Sequence, residues 1–131
     1  MKWLASVLGR WTEPVGDRGE DLAAKWLRMR QFEIRHRNLK IDDDEADIVA
    51  IDPDGRTVVV VEVKSRVNDS TPPEAWVNSR KQFFLNRLAS KLLKRRDFAD
   101  RPLRFDVIAV ILHEDGEPEV RHIPGAFESR W

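Results

Sequence analysis

Val58-Val59-Val60-Val61-Glu62-Val63-Lys64-Ser65 opens as a run of β-branched residues and closes in alternating charge. Consecutive valines of this kind fit a strand covered on both faces. Side chains alternate along a strand, so Glu62 and Lys64 share a face with Val58 and Val60. A carboxylate and an ammonium at the edge of an apolar strand are costly unless they are paired or used. Taken alone, Glu-x-Lys is accounted for by an ion pair at the rim of a sheet.

Upstream, Ala46-Asp47-Ile48-Val49-Ala50-Ile51 reads as a second apolar strand with one carboxylate inside it. Asp47 shares a face with Val49 and Ile51. Asp52-Pro53-Asp54-Gly55-Arg56 is a turn signal, so the two strands form an antiparallel hairpin. A loop running from Pro53 to Arg56 pairs Asp52 with Thr57 and sets Asp47 opposite Glu62 on the same face. One more residue in the loop sends Asp47 to the other face. Asp42-Asp43-Asp44-Glu45 reads as a solvated loop, and Phe32 to Leu39 as the first strand.

Gly16 to Met29 is a helix whose apolar face carries Val15, Leu22, Ala23, Trp26 and Met29. Gly19 on that face permits close approach to the sheet. Glu20 lies at the stripe's edge, in line with Ala23, Ala24 and Leu27. It is either a solvated helix residue or a carboxylate directed at the hairpin. Residues 1–15 form a separate amphipathic arm or short helix through Trp3, Leu4, Val7, Leu8 and Trp11, ahead of a single domain over residues 16–131.

Downstream, Val67 to Glu74 is a loop and Val77 to Arg95 a second helix, with Val77, Phe84, Leu85, Leu88 and Leu92 on its apolar face. Lys81 falls in the middle of that face, so it either snorkels out or reaches an anionic site. Arg104 to Ile111 is a fourth strand, and Glu119 to Ile123 a short fifth. The crossover from Val58 through the second helix to Phe105 is expected to be parallel and right-handed. A mixed sheet with helices packed on it follows, in the order αβββαββ.

The 131 residues suit one domain, and a hydrophobic fraction of 41% is enough for a core. No cysteine is present, which excludes disulfides and thiolate chemistry and fits a reducing, cytoplasmic setting. No apolar run approaches the roughly 18 residues of a membrane span, so no membrane insertion is expected. The apolar start is short, is broken by Arg10 and lacks a small-x-small cleavage site, so no export signal is read there. Formal net charge is +0, yet Arg80, Lys81, Arg87, Lys91, Lys94, Arg95, Arg96, Arg101 and Arg104 cluster, opposed only by Asp97 and Asp100. That is a local positive field in a neutral chain.

With the shorter loop, Asp47, Glu62 and Lys64 meet at one end of the hairpin. Two adjacent carboxylates repel, and a divalent cation removes the conflict. Oxygen donors select Mg²⁺ or Mn²⁺, held by one or two carboxylates plus waters and phosphate. The Val63 backbone carbonyl is a further candidate ligand, and Glu20 a candidate from the first helix. Lys64 is placed to orient an attacking water and offset phosphate charge.

Asp47 followed by Glu62-Val63-Lys64 across a hairpin resembles the PD-(D/E)XK nuclease signature. More narrowly, the chain is similar to the YraN-like family of predicted endonucleases, which resemble archaeal Holliday junction resolvases. The matching blocks are Gly16-Asp17-Arg18-Gly19-Glu20 with Ala23 to Leu27, Arg37-Asn38, Glu45 to Ala50, Val61 to Arg66, Lys81, Arg104 to Val107, and His122 to Phe127. Asp44 stands where that family usually has glycine, Arg30-Gln31 where a glycine usually ends the first helix, and Trp26 where Tyr or Phe is common. The resemblance implies a restriction-endonuclease-like fold, Asp47 and Glu62 as metal ligands, and Lys64 as an aid to hydrolysis. It implies that Glu20 often joins them.

The expected function is therefore metal-dependent hydrolysis of DNA phosphodiesters, with branched or junction DNA suggested by the resemblance alone. Arg66, Arg80, Lys81, Arg87, Lys91 and Arg104 are the candidate phosphate contacts. Arg104 with Asp106 is also readable as a structural ion pair. A resolvase cuts two strands, so a symmetric homodimer is expected. Two alternatives stand beside this reading: a catalytically silent nucleic-acid-binding module on the same fold, and a partner or membrane adaptor working through the tryptophan-rich arm.

Overall fold

In the computed structural model, residues 15–67 and 77–129 are described, with side chains from Arg18 onward in the first helix. The expected amphipathic arm at Trp3 to Trp11, and the loop beyond Val67, lie outside the described residues. The elements are α1 (Val15–Met29), β1 (Glu33–Ile41), β2 (Asp44–Ile51), β3 (Val58–Val67), α2 (Ser79–Leu92), β4 (Leu103–Leu112) and β5 (Glu119–Phe127). The strands form one sheet in the order β1-β2-β3-β4-β5. Only β3 and β4 are parallel, because only they are joined by a helical crossover. The expected αβββαββ architecture is the observed one.

Each helix covers one face of the sheet. Ala23, Ala24 and Leu27 of α1 pack on Ile48, Ala50, Val59, Val61, Ile108 and Val110. Leu85, Leu88, Ala89 and Leu92 of α2 pack on Val49, Ile51, Val58, Val60, Phe105 and Val107. The valine run therefore feeds both cores at once, which is why β3 carries no polar residue before Glu62.

The buried stripe of α1 is rotated from the expected one. Ala23, Ala24 and Leu27 are fully buried, whereas Met29 is 68% exposed. Small residues allow the helix backbone close to the sheet, and at Gly19 the fit is tighter still. A Cβ there would lie 2.0 Å from Ser65 Oγ, so α1 seats its first turns against the far end of β3.

Most boundaries shift by a residue or two, and three elements differ in ways that bear on packing. Asp44 and Glu45 begin β2 instead of closing a loop, because Asp44 is buried against Arg87. The second helix is shorter, starting after the Asn78 cap, whose side chain accepts from the Lys81 N–H, and ending at Leu92. Strand β5 runs on to Phe127, whose ring stacks on Phe105.

Helix α1 ends on Gln31 in the left-handed region, φ 72°. The Phe32 N–H donates to Leu27 O and the Gln31 N–H to Arg28 O, and Phe32 and Leu27 share one apolar cluster. These are the bonds and the contact of a Schellman stop, which favours glycine at the position Gln31 fills. Gln31→Gly should therefore raise unfolding free energy by about 1 kcal/mol, read from urea midpoints. A loss of stability instead would show that the glutamine side chain contributes more than its backbone strain removes.

Candidate metal and hydrolytic site at the β2–β3 fork

The hairpin register is the one that brings the carboxylates together. The Asp52 N–H donates to Thr57 O at 2.9 Å, closing the shorter loop. Asp54 fixes that loop by accepting from the N–H groups of Arg56 and Thr57, each at 2.8 Å. The β2–β3 ladder runs from Ile51↔Val58 to Ile48↔Val61 and stops. Continued, the same register would set Asp47 opposite Glu62 and Ala46 opposite Val63. Instead the Val63 N–H donates to Asp47 Oδ2 at 2.7 Å. The side chain has replaced the backbone acceptor at the point where the strands part. Face alternation along β2 slips at the same place: Ala46, Val49 and Ile51 face α2, while Ile48 and Ala50 face α1.

Glu62 lies in this fork and is 3% exposed. Its Oε2 sits 3.6 Å from Lys64 Nζ and 3.6 Å from Lys81 Nζ. Its Oε1 is buried without a hydrogen-bond partner. Burial first, and then the neighbouring Asp47 carboxylate, push the Glu62 carboxyl up to about 8; Lys81 and Lys64 pull it back only in part. An orphaned buried oxygen beside a second carboxylate is a donor set that suits a hard divalent cation. Both backbone groups of a strand residue face the same neighbour in an antiparallel ladder, so the Val63 carbonyl leaves β3 on the side of Asp47.

Lys81 resolves to the second of its two sequence readings. Its ammonium comes off the apolar face of α2 to Glu62 and, at 3.4 Å, to the Glu45 carbonyl. Glu20 is half-buried on α1, next to Gly19 and at the same end of β3 as Glu62, but α1 covers the opposite face of the sheet. Among the described residues no group of three His, Cys, Asp or Glu side chains converges, so Glu20 is not brought into one cluster with Asp47 and Glu62.

The remaining candidate cations are distributed differently from the expected phosphate-contacting row. Arg87 forms a two-pronged pair with Asp44, both bonds at 2.7 Å, and Lys91 pairs with Asp42. The Arg87 fork holds the Asp44 carboxyl below the usual range against the opposing effect of burial. Arg104 is shared between Asp106, at 2.8 and 2.9 Å, and Asp52 at 2.9 Å. Arg66 donates to the Ser65 carbonyl. Arg80 is exposed and makes no ion pair among the described residues; its guanidinium lies over the Phe84 ring.

Asp106 is a further polar group; of its partners the sequence reading offered only Arg104. It is fully buried and accepts from Arg104, from the Gly125 N–H at 3.0 Å and from His122 Nε2 at 2.7 Å. Burial pushes its carboxyl up, and the His122, Arg104 and Gly125 bonds outweigh it. The His122 ring is held edge-on against Trp26 and Phe32. His122 pairs with Ile108 in the β4–β5 ladder, and its ring reaches back to Asp106 beside the register shift between Phe105 and Val107; nothing in either segment signals that contact.

In metal-free buffer, folded Glu62 keeps its proton to about pH 8 while the unfolded chain releases it near 4.5. The raised group thus contributes stability that is complete below the lower value and gone once pH passes the higher one. Asp44, Asp54 and Asp106 are shifted the other way, from 3.8, and act in more acidic solution. Urea unfolding in EDTA should therefore show stability falling between pH 5 and pH 8, by on the order of a few kcal/mol. Glu62→Gln should flatten the fall; an equally steep profile in that variant would assign it to other groups.

Comparison with known proteins matches this framework to one family. A model described as "Uncharacterised protein family UPF0102" matches residues 19–110, from within α1 through most of β4. A UPF0102 protein of Geotalea uraniireducens is 39% identical over 115 residues, covering 87% of this chain and 89% of the relative. One from Trichlorobacter lovleyi is 37% identical over 123 residues, covering 93% and 96%. One from Beutenbergia cavernae is 38% identical over 115 residues, covering 86% and 95%. With the family's matched region enclosing the whole fork, and with relatives of near-equal length on both sides of the alignment, the chain belongs to the UPF0102 family.

Proposed function

We propose that this protein is a metal-dependent DNA endonuclease that hydrolyses phosphodiester bonds at the β2–β3 fork. The observation that carries the reading is the buried, incompletely satisfied Glu62 carboxylate beside Asp47, with two ammonium groups at 3.6 Å. Such a site is poorly suited to a purely structural ion pair, because one oxygen is left without a partner and burial beside Asp47 disfavours the charged form of Glu62.

Asp47 and Glu62 would hold Mg²⁺ or Mn²⁺, with the Val63 carbonyl as a further donor. The bound ion would supply Lewis-acid stabilisation of the phosphate charge. Asp47 is fixed by the Val63 N–H, so its orientation is set before substrate arrives. Lys64 is 27% exposed at its side chain, enough to hold an attacking water and offset the anionic phosphate. Lys81 places a second positive charge on the same side. Glu20, on the α1 side of the sheet, stands outside this set.

The assay is cleavage of supercoiled and four-way-junction DNA with Mg²⁺ or Mn²⁺, together with calorimetric Mn²⁺ binding. Glu62→Ala should lose both Mn²⁺ binding and cleavage. Lys64→Ala should keep Mn²⁺ binding and lose cleavage by about 100-fold or more. Cleavage that persists in both variants would mark a contaminant and overturn the assignment. Mn²⁺ binding with no cleavage by the unaltered chain would make it a silent binding module.

A further inference from the structure

Helix α2 carries a second feature that neither core nor fork explains. Phe83 is 59% exposed, one of the few large apolar side chains left in solvent among the described residues. Phe84, expected in the core, is instead half-buried and lies edge-on to Phe83 with ring centroids 5.8 Å apart. The two rings are held by cations. The Arg87 guanidinium carbon lies 5.6 Å from the Phe83 centroid and 5.2 Å from that of Phe84, and Arg87 is itself locked by its two bonds to Asp44. Arg80 lies over Phe84 from the preceding turn at 5.5 Å. One turn before Phe84, Lys81 reaches Glu62.

We infer that Phe83 and Phe84, braced by Arg87 and flanked by Arg80, form a stacking platform for an unpaired base of a DNA strand. This rests on the nuclease reading and specifies its substrate: DNA with an unpaired nucleotide next to the scissile phosphate. Aromatic faces beside cations are what single-stranded nucleic acid recognises, because every base has a π-face and every linkage a charge. A fully paired duplex presents phosphates but no free base face, so it uses the arginine and not the rings. The charge distribution argues against a second copy as the occupant. A two-fold pairing through α2 would bring the exposed Arg80 and, just past the helix, Lys94, Arg95 and Arg96, which make no ion pair among the described residues, up to the same set of cations on the other copy.

The test uses the full chain in EDTA, so that binding is read without cleavage. The probes are a DNA oligonucleotide carrying one 2-aminopurine, the same strand paired as a duplex, and the corresponding RNA. Single-stranded DNA should bind with quenching of the 2-aminopurine. Phe83→Ala should weaken that binding by about tenfold and remove the quenching. Duplex binding should change by less than about twofold, since phosphate contacts are untouched. Phe83→Trp should bind as tightly as the unaltered chain, whereas Phe83→Leu, which keeps apolar area without a π-face, should behave like the alanine variant. Thermal melts control for folding. The inference is overturned if single strand and duplex lose affinity equally, if the probe is not quenched, if RNA binds more tightly, or if sedimentation shows Phe83→Ala splitting a dimer. Stacking without cleavage would leave the platform standing and remove the nuclease; cleavage with a neutral Phe83→Ala would do the reverse.

Discussion

The hydrogen bond from the Val63 N–H to the Asp47 carboxylate is the constraint on which the site depends. An antiparallel ladder ordinarily satisfies each N–H with a backbone carbonyl on the neighbouring strand. Here β2 and β3 separate after Ile48↔Val61, and a buried N–H without a partner would cost about 1–3 kcal/mol. Asp47 supplies the acceptor from its side chain. The strands are thereby free to open without leaving an orphaned donor, and the carboxylate is pinned beside Glu62. One bond both ends a ladder and positions a carboxylate.

Glu62 can occupy that fork only because β3 is central to the sheet. Both faces of the preceding valines are covered, so the carboxylate emerges from a fully apolar strand into a partly closed space. Burial disfavours its charge, Asp47 disfavours it further, and Lys64 and Lys81 offset this incompletely. On the proposed reading, the same physics that makes the site unfavourable without metal would favour a divalent cation there.

Charge on α2 divides into two classes that the linear sequence does not separate. Arg87 and Lys91 are consumed by Asp44 and Asp42, at and just before the start of β2, and brace the helix against the sheet edge. Arg80 and the cations after Leu92 face outward. A run that reads as one basic surface is therefore partly a fastening between α2 and the hairpin. Asp44 takes part in it by being buried, which is why an acidic run that resembles a solvated loop instead begins a strand.

What the sequence determined by itself were the quantities that short-range periodicity and turn chemistry encode. The valine run and the Asp52 to Arg56 turn left two hairpin registers, one of which sets Asp47 across from Glu62, and the Asp52 to Thr57 backbone bond selects that one. The αβββαββ order followed from the same patterns. Only the tertiary structure decided which face of α1 is buried, that Glu20 stands behind the sheet, and that Lys81 bends to Glu62. It alone placed Arg87 on Asp44, His122 on Asp106, and Phe83 in solvent. Each of these joins residues distant in the chain through packing of one element on another. No local pattern carries that information, because the rotation of a helix on a sheet is fixed by how side chains of both surfaces fill the space between them.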